Sequence, residues 1–498
     1  MKIFISYPPL ESEKGIAQIG QNRQFQWFVK HSVIYPMVPA YAATLLAKNN
    51  YEVFWDDSIA KKESYQTWID RIIAEKPELI AIETKTPVVK MHWNIINEVK
   101  KKSPKSKIVI MGDHVTAFPE ESMKNSKVDF VLTGGDYDFL LLSIADNLTK
   151  ETPLEPGIWY REKNQIKNTG KFLLNHDINT LPQIDRDLTR WDLYVENGNY
   201  KYLPGTYTMA GRDCWWGKCK FCSWPTLFPR YRTRKPELLF EEIKNLVEHY
   251  GVREVMDDTG CFPIGDWLKQ FCNLMIESGL NKKVRISCNM RFGALTLEEY
   301  QLMRKAGFRF LLFGLESANQ ETLDRIIKGI KVSEIEEGCK MAKKAGLNPH
   351  LTCMIGYPWE TYEMAKKTIE LAKKLFNEGY ADTLQATIVM PYPNTPLYKE
   401  CLENNWLDIK PGDWEKFDMR QRIMKSPLTE EQSKDLTSSL YKLFFGPKYI
   451  FKQIANIRDK DDIKYLYRGF KSVTKKHLKD FSKSKKNKNQ DKIKCETC

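Results

Sequence analysis

Apolar residues in the first 150 positions come in short bursts separated by amphipathic stretches. KIFISYPP, YEVFWDD, ELIAIETKT, KIVIMGD and DFVLTGG are five such bursts, with the length and β-branched content of buried strands. Between them, YAATLLAKNN and MHWNIINEVKKK place apolar side chains at helical spacing. The alternation predicts βαβ units and a doubly wound parallel α/β sheet over residues 1–150. Ligands on such sheets lie beyond the carboxyl ends of the strands. Those ends carry Tyr7-Pro8-Pro9, Thr84-Lys85-Thr86, Gly112-Asp113-His114 and Thr133-Gly134-Gly135. No G-x-G-x-x-G follows the first strand, so a nicotinamide site is not expected.

The rhythm lapses over 151–205, where GIWYREKNQIKNTGKF reads as a hairpin and NTLPQIDRDLTRWDLY as an extended strap. This segment is expected to be a connector. Over 206–410 the rhythm returns. YTMAG, REVMDD, VRISCN, FRFLLFGLES, PHLTCMIGYP and LQATIVMPYP are strand candidates, and PELLFEEIKNLVEHY, LTLEEYQLMRKAG and YEMAKKTIELAKKL are helices between them. Six such units predict a full or partial barrel with its chemistry at the C-terminal face. Residues 411–470 read as amphipathic helices rich in Phe, Tyr and Lys, and 471–498 as a basic, disordered tail.

At 498 residues the chain exceeds one ordinary core, so several domains are expected. No apolar run reaches the roughly 18 residues of a membrane span, and MKIFISYPPL is not a signal peptide. A cytoplasmic protein is expected, free or peripheral at the inner membrane surface. The net charge of +13 is uneven, because Lys471–Cys498 holds ten lysines against three acidic residues. Such a tail is a solvated segment or, in the sharper reading, a contact to anionic lipid. It has almost no aromatics or arginines, so no nucleic acid is expected as a partner.

Eleven cysteines show no paired layout, and their one tight cluster falls within nine residues. That pattern suits a reducing compartment and a metal rather than disulfides. Cys495 and Cys498 at the terminus read as incidental, with a redox or second metal role as the alternative. The cluster is Cys214-x4-Cys219-x2-Cys222, inside GRDCWWGKCKFCSWP. A closed structural site takes four ligands, and Cys261 or Cys288 could supply the fourth. Three thiolates alone leave one metal position open, which chemistry requires.

This loop resembles the [4Fe–4S] motif of the radical S-adenosylmethionine (SAM) superfamily. The usual form is C-x3-C-x2-C with an aromatic before the third cysteine, a place held here by Phe221. One extra residue separates the first two cysteines, and Gly217 can absorb it. MDDTG, SCNMR, FGLES, GYPWET and PYPNTPLY follow in the order of further family motifs. The resemblance implies that Cys214, Cys219 and Cys222 bind three irons while SAM chelates the fourth. It places Phe221, Asp257, Asp258, Asn289, Arg291, Glu316 and Ser317 near SAM. The front domain and connector resemble the Rossmann/flavodoxin-like, B12-binding-type domain of the cobalamin-dependent members. There Tyr7, Gly112, Asp113, His114, Thr133, Gly134 and Gly135 would face the corrinoid, with no axial histidine. MGDH and GGDYD stand where that class shows GGPH and G-E-G-E.

The implied fold is therefore such a domain, a partial (β/α)6 TIM-like barrel and a helical C-terminal region. The implied activity is reductive cleavage of SAM by an external one-electron reductant, with hydrogen abstraction from an unactivated carbon. Cobalamin-dependent C-methylation is the leading outcome. Cyclisation, oxidation, or a member without cobalamin acting on a lipid-like substrate are alternatives. A non-catalytic zinc-stabilised binding protein is the reading from another class.

Overall fold

The computed structural model describes residues 1–19, 27–28, 31–163, 165–196 and 200–473. Residues 474–498 of the basic tail, with Cys495 and Cys498, lie outside them. All five front strands form where the apolar bursts fall. They are β1 (Lys2–Tyr7), β2 (Glu52–Asp57), β3 (Leu79–Thr84), β4 (Lys107–Gly112) and β5 (Phe130–Leu132). Their parallel order is β2-β1-β3-β4-β5, the flavodoxin-type arrangement whose switch point lies between β1 and β3. β3 is buried at every position, as a central parallel strand covered on both faces must be.

The expected hairpin also forms, as β6 (Ile158–Glu162) and β7 (Gln165–Asn168). It extends the front sheet, since β6 pairs antiparallel with β5. Local alternation revealed the hairpin, but only the edge of β5 decided where it docked.

A second sheet contains six parallel strands in consecutive order. These are β8 (Gly205–Thr208), β9 (Glu254–Asp257), β10 (Arg285–Met290), β11 (Phe308–Glu316), β12 (Asn348–Ile355) and β13 (Thr383–Ile388). Consecutive order without closure makes a partial barrel. The helices between strands, among them Pro236–Tyr250, Leu297–Lys305 and Tyr362–Glu378, bury one apolar stripe each. Helix Met37–Lys48 differs, because nine of its twelve residues are buried. Its Tyr41 reaches across to Arg234 and Glu242 of the second unit, so it packs on both sides. No helix among the described residues is long and apolar enough to cross a membrane.

Candidate functional site

The carboxyl ends of β8 to β11 converge on the cysteine loop. Gly217 adopts φ 57°, a left-handed turn that glycine enters freely and that takes up the additional residue of the loop. Cys214, Cys219 and Cys222 are half-buried. The Cys214 thiol is drawn down to about 6, first by a hydrogen bond with Cys261, then by the backbone N–H groups of Gly217 and Trp216 and the charge of Arg291. A thiol so placed is a thiolate at neutral pH, the form in which cysteine binds a metal. Burial pushes Cys219 the other way, against the opposing charges of Lys328 and Arg291.

Among the described residues, no three His, Cys, Asp or Glu side chains converge on a single-ion site. Tetrahedral zinc needs four donors within about 2.3 Å of one ion. In a four-iron cluster each thiolate takes its own iron, so the sulfurs stand apart. Cys214, Cys219 and Cys222 are three thiols on one loop, the donor type that an iron–sulfur cluster takes.

Two of the loop's tryptophans are organised around Arg291. Its guanidinium lies 4.4 Å from the Trp216 ring centre and 5.5 Å from that of Trp215, within cation–π range. Arg291 donates to Lys328 O at 2.6 Å, and Trp216 Nε1 donates to Ile327 O at 2.8 Å. A Cβ at Gly329 would lie 2.1 Å from the Trp216 ring, so only glycine lets that indole settle.

The other expected SAM-side residues occupy neighbouring strand ends. The Asp257 carboxylate accepts from Thr208 Oγ1 (3.1 Å), Ala210 N–H (2.8 Å) and Thr259 N–H (3.1 Å), tying β9 to the start of the cysteine loop. Burial raises its pKa. Asp258 follows it and donates its N–H to Thr208 O. Asn289 Nδ2 donates to Thr259 O at 2.8 Å. Glu316 has φ 59° and accepts from Lys328 Nζ at 2.7 Å, both groups being buried. Ser317 Oγ accepts from Asn319 N–H at 3.2 Å. Phe221 lies 5.9 Å from Lys328 Nζ.

Sequence reading passed over Lys328, whose charge sits beside both Glu316 and Cys219, and Tyr231. Tyr231 Oη is buried without a hydrogen-bond partner. Burial and the charges of Cys261, Asp257 and Cys214 raise its pKa, so it lies among the site residues. It also lines a cavity of about 370 Å³ with His176, Arg230 and Arg232, which is the size of a small-molecule site. No spacing rule marks a tyrosine in TLFPRYRTRK.

The turn GYPWET holds Glu360, which accepts from Gly356 N–H at 2.6 Å. Burial pushes its carboxyl up to about 7, against two backbone N–H donors. A carboxyl raised in the folded state stabilises fully below its unfolded pKa near 4.5, and that contribution is lost as pH rises through 7. The loss is about 3 kcal/mol. Glu360→Gln is therefore expected to exceed the parent in stability at pH 8 and to match it near pH 4, as read by denaturant midpoints. Parallel pH profiles would refute this.

At the front switch point, Tyr7 Oη donates to Glu83 at 2.7 Å. Lys85 stands 3.6 Å from Glu83 and 3.9 Å from Asp113, all of them buried. Thr86 Oγ1 is buried and unpartnered. Gly112 has φ 135°, and Thr133 Oγ1 donates to Gly157 O. Gly134 and Gly135 lie directly beneath Phe172 and Phe228. His114 is enclosed by Trp93, Phe118 and Trp414; its Nε2 is bonded to Glu121 at 3.1 Å and its Nδ1 is buried without a hydrogen-bond partner. Thr86 Oγ1, left without a partner beside these paired groups, is a buried hydroxyl that could bond an amide of a corrinoid.

The front domain reaches the cysteine loop directly. Arg212, two residues before Cys214, is buried between Asp136 (2.6 Å) and Asp138, and Arg232 also bonds Asp136 at 2.7 Å. Both guanidinium groups hold the Asp136 carboxyl below its usual range despite burial. GGDYD is thus the strand-end loop that clamps the two units together.

Comparison with known proteins agrees with this arrangement. Residues 210–372 match the radical SAM superfamily. An uncharacterised methyltransferase of Pyrococcus horikoshii is 27% identical over 91% of this chain and 95% of its own length. The anaerobic magnesium-protoporphyrin IX monomethyl ester cyclase of Cereibacter sphaeroides is 24% identical over 84% of this chain and 68% of its own. The radical SAM methyltransferase TsrM of Kitasatospora setae, solved with cobalamin and a [4Fe–4S] cluster, superposes with a TM-score of 0.66 at 14% identity, covering 89% of each chain. With the cysteine loop at the first strand end of an open barrel, residues 210–372 carry the domain of the radical SAM superfamily, and the flavodoxin-type sheet before it gives the chain the overall fold of TsrM.

Proposed function

We propose that this protein is a cobalamin-dependent radical SAM methyltransferase acting on an unactivated carbon of a small molecule. The observation that carries the reading is the cysteine loop, three half-buried thiols at a strand end ringed by the polar ends of the next strands. When bound, the four-iron cluster supplies the electron that cleaves SAM, and the corrinoid supplies methyl-transfer chemistry.

The chain's own residues position and shield. Cys214, Cys219 and Cys222 would hold the cluster, with the N–H groups of Gly217 and Trp216 stabilising the first thiolate. Trp215, Trp216 and Phe221 wall the loop and exclude water, and Arg291 locks the two indoles. Asp257, Asp258, Asn289, Glu316 and Ser317 offer SAM its hydrogen-bond partners, with Lys328 compensating Glu316. Tyr7, Lys85, Thr86 and Asp113 would hold the corrinoid.

In this reading 1–150 is the corrinoid module, 151–205 the connector, 206–410 the reaction barrel and 411–470 the helical cover. An external one-electron reductant completes the system in the cytoplasm. A lipid-like substrate extends the reading, and the likeness to a cyclase favours ring closure as the second outcome.

Anaerobic reconstitution with iron, sulfide and hydroxocobalamin, followed by SAM and dithionite, tests it. The expected result is about four irons per chain, a retained corrinoid spectrum and release of 5′-deoxyadenosine. Iron and 5′-deoxyadenosine without corrinoid would overturn the cobalamin part. Zinc with intact SAM would overturn the whole.

A further inference from the structure

The last two helices, Pro447–Ala455 and Lys460–Ser472, sit on the barrel the wrong way round. A surface helix normally buries its apolar stripe. Here most contacts to the protein are polar, beside the Tyr449 ring, which packs on Phe376 and Phe444 at 5.5 Å, and Phe470, which meets Phe445 at 6.0 Å. Tyr449 Oη donates to Asp382 O at 2.9 Å and Lys452 Nζ to Gly379 O at 2.7 Å. Asp461 pairs with Arg253, Asp462 with Lys201, and Arg468 donates to Tyr200 O. Tyr465 stacks on Arg309.

The apolar side points outward. Seven of the twelve exposed large apolar side chains among the described residues fall between Ile450 and Phe470, and Phe451 is 77% exposed. Ile450, Phe451 and Ile454 share one helix, and Ile463 and Tyr467 one face of the other. Residues 447–498 also carry +10 of the chain's net +13.

We propose that residues 447–471 form a docking face for an anionic lipid bilayer. The apolar side chains enter the interface, while Lys448, Lys464 and Lys471 engage headgroups. A second copy of the chain would meet this face with the same positive charge, whereas an anionic surface satisfies both its apolar and its charged character. Every anchoring contact named above lies before or at the start of a barrel strand, at the end opposite the Cys214 loop. Docking there turns the cysteine loop away from the bilayer by the length of β11, about 30 Å. The proposal is independent of the reaction.

The test is co-sedimentation of the full chain with vesicles of phosphatidylglycerol and phosphatidylcholine, or of phosphatidylcholine alone. Partition is expected to be about tenfold greater on the anionic vesicles and to fall in about 0.5 M NaCl. The double substitution Phe451→Asp and Ile463→Asp should lower it about tenfold with an unchanged melting midpoint, as both sites are exposed. Equal binding to both vesicles would overturn the proposal. So would undiminished binding of the variant, which would assign the effect to tail charge alone. A dimer in sedimentation velocity that the variant abolishes would make the face a protein interface instead.

Discussion

Cys219→Ala is expected to strip the reconstituted protein of most of its iron and to cut 5′-deoxyadenosine release at least ~10³-fold, with the barrel still folded. A cluster held by three thiolates loses a whole iron corner when one is removed, and the remaining two do not retain it against exchange. The fold tolerates the change because the thiol is half-buried and the loop is held by other bonds. Lys220 N–H donates to Ile326 O at 3.0 Å and Leu397 N–H to Lys220 O at 3.0 Å, so backbone contacts on both sides survive. Loss of stability should stay within about 1 kcal/mol. Iron assay, far-ultraviolet circular dichroism and product release are the readouts. Unfolding on loss of the thiol would indicate a structural metal. Full iron content in the variant would remove Cys219 from the ligand set.

The largest effect on stability is expected at the clamp between the two units. Arg212→Ala leaves Asp136 and Asp138 buried, with Arg232 as the remaining bonded cation of Asp136. Breaking a buried ion pair by removing one partner costs about 3–5 kcal/mol, because the surviving charge stays desolvated. Replacing Arg212 by methionine together with Asp138→Asn should restore a substantial part of that loss, since no unpaired charge then remains beside the apolar side chain. Guanidinium denaturation of the parent, Arg212→Met, Asp138→Asn and the double substitution gives the coupling directly. A single-substitution cost under about 1 kcal/mol would mean that water reaches the cluster of charges, and the clamp would then contribute little.

What could be read from the chain alone was local. Strand runs such as ELIAIETKT and FRFLLFGLES became β3 and β11, because a strand buried on both faces is apolar over most of its length. The segment LTLEEYQLMRKAG contained its own start signal, with Thr296 and Glu299 forming a capping box. The cysteine spacing pointed to its chemistry, since three thiols so close have few uses. All of these patterns lie within one element or one loop.

What the chain alone left open depends on groups far apart in sequence. Arg212 meets Asp136 across 76 positions, and no periodicity links them. Glu316 was visible in FGLES, but Lys328, which neutralises it, follows from the path of the chain after β11. Tyr231 feels the charges of Cys261, Asp257 and Cys214 only in the folded chain, since these residues lie on separate segments. The C-terminal helices showed their amphipathic pattern in sequence, yet the pattern does not say which side faces the protein. Tertiary structure decided that, because Arg253, Lys201 and Asp382 offered polar partners at the barrel floor and drew the charged side inward. Local periodicity fixes what an element is. Desolvation and charge pairing between distant segments fix where it goes and which side it shows.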